Sequence, residues 1–154
     1  MRYSLDTSSF VEPWRRSYPP DVFPSLWEEH LPSLVSTGDV RATQEVRVEL
    51  ERQDDELLAW ASGHQDLFLE VDEPVQRTVS GILAAHPKLI NPHTGRSGAD
   101  PFVVALAMVS GSTVVTEEKP RSLVNPKIPD VCGALSVRCI NMLELIREQG
   151  WIYR

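Results

Sequence analysis

Asp6, Glu49, Asp100 and Glu118 are far apart in the chain, yet each stands where a merely solubilising acid has no obvious purpose. Asp6 closes a short apolar run in "MRYSLDTSSF" and is followed at once by three hydroxyl residues. Glu118 lies just past the β-branched run Thr113-Val114-Val115-Thr116, and Asp100 opens the apolar stretch "ADPFVVALAMVSG". Glu49 is flanked by Val46, Val48 and Leu50, so its side of the segment reads as inward-facing. Several carboxylates brought to one place repel each other and do not stay ionised without compensation. A hard divalent cation supplies it: Mg²⁺ or Mn²⁺ takes oxygen ligands, keeps several waters and is commonly shared with a substrate phosphate. Taken singly, Asp6 and Asp100 read equally well as helix caps, Glu49 as a solvated helix residue and Glu117-Glu118 as a polar turn. The joint arrangement is what points to chemistry.

For these acids to meet, the elements that carry them must end on a common rim. Arg2 to Leu5 reads as a strand, and Asp6-Thr7-Ser8-Ser9 starts a helix bearing Phe10, Val11 and Trp14 at helical spacing. Tyr18-Pro19-Pro20 breaks it, because proline disfavours helical geometry in the residue before it. A second helix is predicted from about 24 to 35, with Phe23, Leu26, Trp27, Leu31 and Leu34 on one face. Val40 to Ala42 is a weak strand, and a third helix from Thr43 carries Glu45, Val46, Glu49 and Leu50. Asp54-Asp55 then caps or continues into Leu57, Leu58 and Trp60, and Gly63 is the stop. Pro74 to Ala85 fits a helix, and residues 87–99 form a loop. Asp100 to Gly111 fits a mostly apolar helix and 113–116 a buried parallel strand. Ile128-Pro129-Asp130 starts a short helix, 137–140 make a final strand, and Asn141 caps "MLELIREQG". Strands alternating with helices predict an α/β fold with a mostly parallel central sheet flanked by helices. In such sheets ligands bind at the carboxyl ends of the strands, which is where Asp6 and Glu118 fall.

A chain of 154 residues, 42% hydrophobic, fits one domain over 1–154. The net charge of −7 argues against a protein that coats nucleic acid non-specifically. It does not exclude a nuclease, since a bound metal inverts the sign a phosphate meets. The N-terminus lacks a secretory pattern, and no apolar run approaches the roughly 18 residues that cross a bilayer, so a soluble cytoplasmic protein with no membrane segment is expected. Cys132 and Cys139 make neither a disulfide framework nor a zinc site and read as small packing residues. His30, His64, His86 and His93 lack zinc-site spacing; His93, in the 87–99 loop, is the one placed to contact substrate. No Gly-rich phosphate loop is present. Trp14 and Trp27, with Phe23 and Leu31, read as core or a partner groove rather than a base-stacking platform.

"YSLDTSSF", "EVRVEL", "GADPFVVALA" and "STVVTEEK" occur in the order of the motifs of PIN-domain ribonucleases, including toxins of the VapC type. More closely, the chain resembles the bacterial PIN-like DUF4411 family, to which "IPDVC" and "VRCINMLEL" also correspond. The resemblance implies a three-layer PIN-like, Rossmann-like fold, and metal-assisted hydrolysis of RNA in which Asp6, Glu49, Asp100 and Glu118 are the first to fourth acids. It assigns Thr7 or Ser8 as the hydroxyl orienting the first acid and Thr116 as the threonine before the fourth. The chain departs from the toxin pattern at the fourth position, where Glu117-Glu118 replaces Asn-Asp, so either glutamate could be the ligand. Glu45 is an alternative for the second acid, at i, i+4 from Glu49, and Asp130 is either an outer acid or a cap. Arg15, Arg16, Arg96, Lys119, Arg121 and Lys127 flank the rim and are the candidate phosphate contacts. The toxin resemblance further implies an antitoxin partner bound as a helix in a groove, and a homodimer. Two other classes compete. A receiver domain shares the early acid, a strand-end threonine and a lysine, but the chain lacks a phospho-accepting Asp ending a middle strand. A catalytically inert PIN-like module binding nucleic acid or protein would keep the fold while the altered fourth acid weakens metal binding.

Overall fold

The computed structural model describes residues 1–53, 55–91, 94 and 98–154. His93 and Arg96, expected above to contact substrate, and Asp54 lie outside the described residues. The chain runs β1 (Tyr3–Leu5), α1 (Ser8–Glu12), α2 (Leu31–Ser36), β2 (Val40–Thr43), α3 (Gln44–Leu50) and α4 (Asp55–Ser62). It continues with β3 (Phe68–Leu69), α5 (Glu73–Ala85), α6 (Asp100–Ser110), β4 (Thr113–Val115), α7 (Ile128–Ala134), β5 (Cys139–Ile140) and α8 (Met142–Gln149). Wide π-helical turns extend α1 over Pro13–Ser17 and precede α2 over Leu26–His30.

The five strands form one sheet in the order β3-β2-β1-β4-β5, and every neighbouring pair is parallel. Tyr3 pairs with Val40 on one side and with Thr113 on the other, while Val114 pairs with Cys139. The chain therefore winds outward from β1 through β2 to β3, then returns to lay β4 and β5 on the opposite flank. β1 and β4 meet where the winding reverses, the place at which the carboxyl ends of a parallel sheet open a crevice. Strand β3 escaped the sequence reading because two residues carry no period.

Burial explains why "DPFVVALAMVS" is apolar on nearly every side. Helix α6 packs on α5 and on β1, β2 and β4, with Val103, Val104, Ala105 and Ala107 buried. The Ser4 hydroxyl, buried on β1, donates to the Val103 carbonyl at 2.9 Å and ties the strand to the helix. Trp27 is core, and Trp14, Trp60 and Trp151 pack half-buried against the core. Trp27 is 1% exposed, with ring centroids 4.8 Å from Trp14 and 5.2 Å from Trp60 in edge-on arrangements. The indole N–H groups of Trp27 and Trp60 donate to the Tyr18 and Trp27 carbonyls, each at 2.7 Å. This cluster fixes α1, whose first turn follows Asp6. Helix α8 is set by Asn141, whose Oδ1 accepts the Glu144 N–H at 2.9 Å, and it stops at Gly150 in left-handed geometry, φ +70°. Cys132 is buried, Cys139 is half-buried and both remain thiols. Among the described residues no helix is long and apolar enough to cross a membrane.

Candidate functional site

The Asp6 N–H donates to the Val115 carbonyl and the Thr116 N–H to Ile140, both at 2.9 Å, so these two residues are the first beyond the ends of β1 and β4. Their side chains meet. The Ser8 and Thr116 hydroxyls donate to the same oxygen, Asp6 Oδ2, at 2.6 and 2.8 Å. Each hydroxyl also accepts a main-chain N–H, Ser8 from Glu117 at 2.9 Å and Thr116 from Glu118 at 3.1 Å. Each hydroxyl thus accepts one backbone N–H through a lone pair and gives its single proton to Asp6. The 3.1 Å approach of the two hydroxyls follows from their convergence on one oxygen.

Three more carboxylates surround this one. Glu49, one turn into α3, accepts from the Thr7 hydroxyl at 3.3 Å, linking α3 to the start of α1. Glu118 accepts the Ile128 N–H at 3.0 Å, which ties it to the start of α7. Asp100 is the first residue of α6, with Ala99 in the cap position, and is 3% exposed. Its Oδ2 is buried without a hydrogen-bond partner. Asp6, Glu49, Asp100 and Glu118 line one cleft of about 200 Å³ together with Thr7, Ser8, Val11, Glu12 and Gln53.

All four proton affinities are raised. Burial comes first at every position and disfavours the charged form. Asp100 is pushed well above the usual carboxylate range by burial and then by the charges of Asp6, Glu118 and Glu49, against which Lys127 acts. Glu49 and Glu118 are raised by burial and the Asp6 charge, offset by the hydrogen bonds named above and, for Glu118, by Lys127. For Asp6 the Ser8 and Thr116 hydroxyls and nearby backbone N–H groups oppose burial.

The remaining predicted residues divide. Glu117 turns away: it accepts the Met142 N–H at 2.7 Å and walls a neighbouring cleft, so the structure brings Glu118 and not Glu117 to Asp6. Glu45 does not line the cleft, and its Oε2 is buried without a partner. Asp130 accepts the Arg121 N–H through both oxygens, at 3.0 and 2.9 Å, and the Lys127 N–H at 2.8 Å. It closes the loop before α7, as a cap does, and is not among the cleft-lining acids. Arg15 donates to the Gln53 carbonyl and Arg16 lies 3.6 Å from Glu12, which places both at the mouth of the cleft. Lys127 acts electrostatically on two of the acids, Lys119 lines the neighbouring cleft, and Arg121 is exposed. Glu12 and Gln53 were missed; their signal was spacing, one helical turn beyond Ser8 and Glu49 respectively.

Among the described residues no three Asp, Glu, His or Cys side chains stand close enough to hold one ion as placed. The donor set nevertheless fits a hard cation, since the acids lining the cleft are carboxylates and Asp100 Oδ2 is buried there without a hydrogen-bond partner.

No curated protein matches the chain. Among solved structures, a crystal structure of FitAcB from Neisseria gonorrhoeae is similar over 90% of this chain and 96% of that chain, at 22% identity and a TM-score of 0.48. The model of the family described as a domain of unknown function, DUF4411, matches residues 3–153. With nearly the whole sequence covered, the chain belongs to the DUF4411 family.

Proposed function

We propose that this protein is a metal-dependent endoribonuclease of PIN type, hydrolysing RNA phosphodiester bonds through Asp6, Glu49, Asp100 and Glu118. The observation that carries the reading is that four acids from four separate segments line one cleft where β1 and β4 part. Mg²⁺ or Mn²⁺, when bound, lowers the pKa of water and neutralises charge on the phosphoryl oxygens. The four carboxylates would hold it. Asp6 is kept in one orientation by Ser8 and Thr116, so it enters a complex without rotamer cost. Glu49, raised by burial and by Asp6, is suited to take the proton of the attacking water. Lys127 offsets negative charge on Asp100 and Glu118, and with Arg15 and Arg16 it would supply the positive charge for a phosphate. The motif order shared with VapC-type toxins supports a toxin role in the cytoplasm, with an antitoxin as partner and a homodimer as the assembly.

The reading is tested by incubating purified protein with a mixed pool of structured RNA in Mn²⁺ or Mg²⁺, beside an EDTA control. Cutting in either metal that stops in EDTA is expected; intact RNA under every condition contradicts it. A second prediction isolates the hydroxyl network. Thr116→Val should weaken Mn²⁺ affinity by about 10- to 100-fold, as loss of an outer-shell partner does, and Thr116→Ser should recover most of it. Equal affinities across the three proteins by calorimetry would show that Thr116 does not position Asp6.

The separation of the acids favours one alternative, a catalytically inert PIN-like binding module. That module would retain RNA or protein binding in EDTA and show no metal-dependent cleavage.

A further inference from the structure

Beyond Glu118 the crevice continues into a second cleft, of about 520 Å³, over the carboxyl end of β5. Glu118 lines both clefts, and Thr116, whose hydroxyl holds Asp6, lines the second. Its lining is divided in kind. Pro129, Gly133, Val137 and Ile140 give it apolar surface, while Asn141 and Glu144, at the start of α8, give it a polar rim. Three carboxylates against one ammonium, Lys119, make it unfavourable for a phosphate. It suits a flat, uncharged group that presents N–H donors along one edge. Gly133, on α7, lines the cleft, and a Cβ built there meets no atom within 4 Å, so a larger side chain at this position has open space to enter.

Resting on the nuclease reading above, we propose that this second cleft is a nucleobase subsite, seating a guanine of the nucleotide that adjoins the scissile phosphate. The rim chemistry selects the base. Asn141 Oδ1 is committed to the Glu144 N–H at 2.9 Å, which leaves the Asn141 amide hydrogens to donate to guanine O6. The Glu144 carboxylate, exposed beside it, accepts the Asn141 N–H at 3.4 Å through Oε1 alone, and its remaining lone pairs accept the adjacent N1–H and N2–H of guanine as a pair. Adenine offers a lone pair at N1, where guanine offers a proton, and is repelled by the same carboxylate. Cytosine likewise places an acceptor beside its amino group, and uracil has a single N–H between two carbonyls. Glu117 serves as wall rather than reader, since it accepts the Met142 N–H at 2.7 Å.

The test is titration of the ¹⁵N-labelled full chain with the four nucleosides, which carry no phosphate for the carboxylates to repel, followed at the amides of Gly133, Val137 and Asn141. Guanosine should perturb these amides and bind at least about fivefold more tightly than adenosine. Gly133→Leu should abolish the response while the rest of the spectrum shows an intact fold. Glu144→Gln keeps a capping-competent side chain and should bring the two purines to similar affinity. Shifts of equal size for all four nucleosides, no shift at the cleft, or a response that persists in Gly133→Leu would each overturn the subsite. Asp6→Asn should leave it unchanged. Guanosine-selective binding in a protein that cleaves no RNA in any metal would retain the subsite and remove the nuclease. Metal-dependent cleavage with no base preference and no effect of Gly133→Leu would do the reverse.

Discussion

Asp6→Asn is expected to lower the RNA cleavage rate by roughly a thousandfold, the factor that corresponds to about 4 kcal/mol of lost transition-state stabilisation. The exchange is isosteric, and an amide oxygen accepts from Ser8 and Thr116 as the carboxylate oxygen does at 2.6 and 2.8 Å. What disappears is the charge, at the one acid held by two hydroxyls and 2% exposed. Cleavage in Mn²⁺ and thermal unfolding should be measured on the same preparations. A variant that loses activity and keeps its Tm locates the chemistry at Asp6. One that cleaves at the wild-type rate removes Asp6 from the mechanism.

The second large effect concerns Asp100, where function and stability are set against each other. Its folded-state pKa is raised well above the ordinary value by burial and three neighbouring charges, so the folded protein holds the proton more tightly than the unfolded chain. With more protons bound to the folded state, stability of the metal-free protein falls as pH rises from the unfolded carboxylate pKa through the folded one. Below that window the penalty is absent. Asp100→Asn removes the ionisable group and turns an amide N–H toward the surrounding carboxylates. At neutral pH the metal-free variant should melt higher than wild type by about 2 to 4 °C, the shift that 1 kcal/mol gives in a domain of this size. It should also lose metal-dependent cleavage. The melting difference should shrink toward pH 4, and Mn²⁺ should stabilise wild type selectively. A metal-free variant that melts lower at neutral pH would mean that Asp100 is a structural acid rather than a strained one.

Both predictions begin in positions that the sequence made legible. Asp6 and Glu118 each follow a short apolar run, and a parallel sheet sends such residues to its carboxyl rim. Asp100 was readable as the opening of a helix too apolar to face solvent, and α6 is indeed buried on most sides. All strand pairs proved parallel, one step beyond the mostly parallel sheet expected. Other choices depended on contacts that no local pattern encodes. Glu117 and Glu118 are equivalent in sequence and are separated only by the starts of two helices, Met142 taking one and Ile128 the other. Glu45 and Glu49 share a helical face, yet Glu49 alone reaches Thr7 and the cleft. Asp130 reads as an acid or a cap, and its three main-chain N–H bonds place it with the caps. Glu12 and Gln53 enter the cleft through tertiary packing of helices whose first turns were already identified.

The central claim, that this carboxylate cluster binds a divalent cation, is tested most directly by calorimetric titration of Mn²⁺ into the wild-type chain and Asp6→Asn at pH 7.5. Saturable binding to wild type with release of protons, and its loss in Asp6→Asn, is the predicted result, because raised carboxylate pKa values make metal and proton compete for the same oxygens. Absence of binding to wild type, or the same isotherm for both proteins, would contradict the claim and leave the inert binding module in its place.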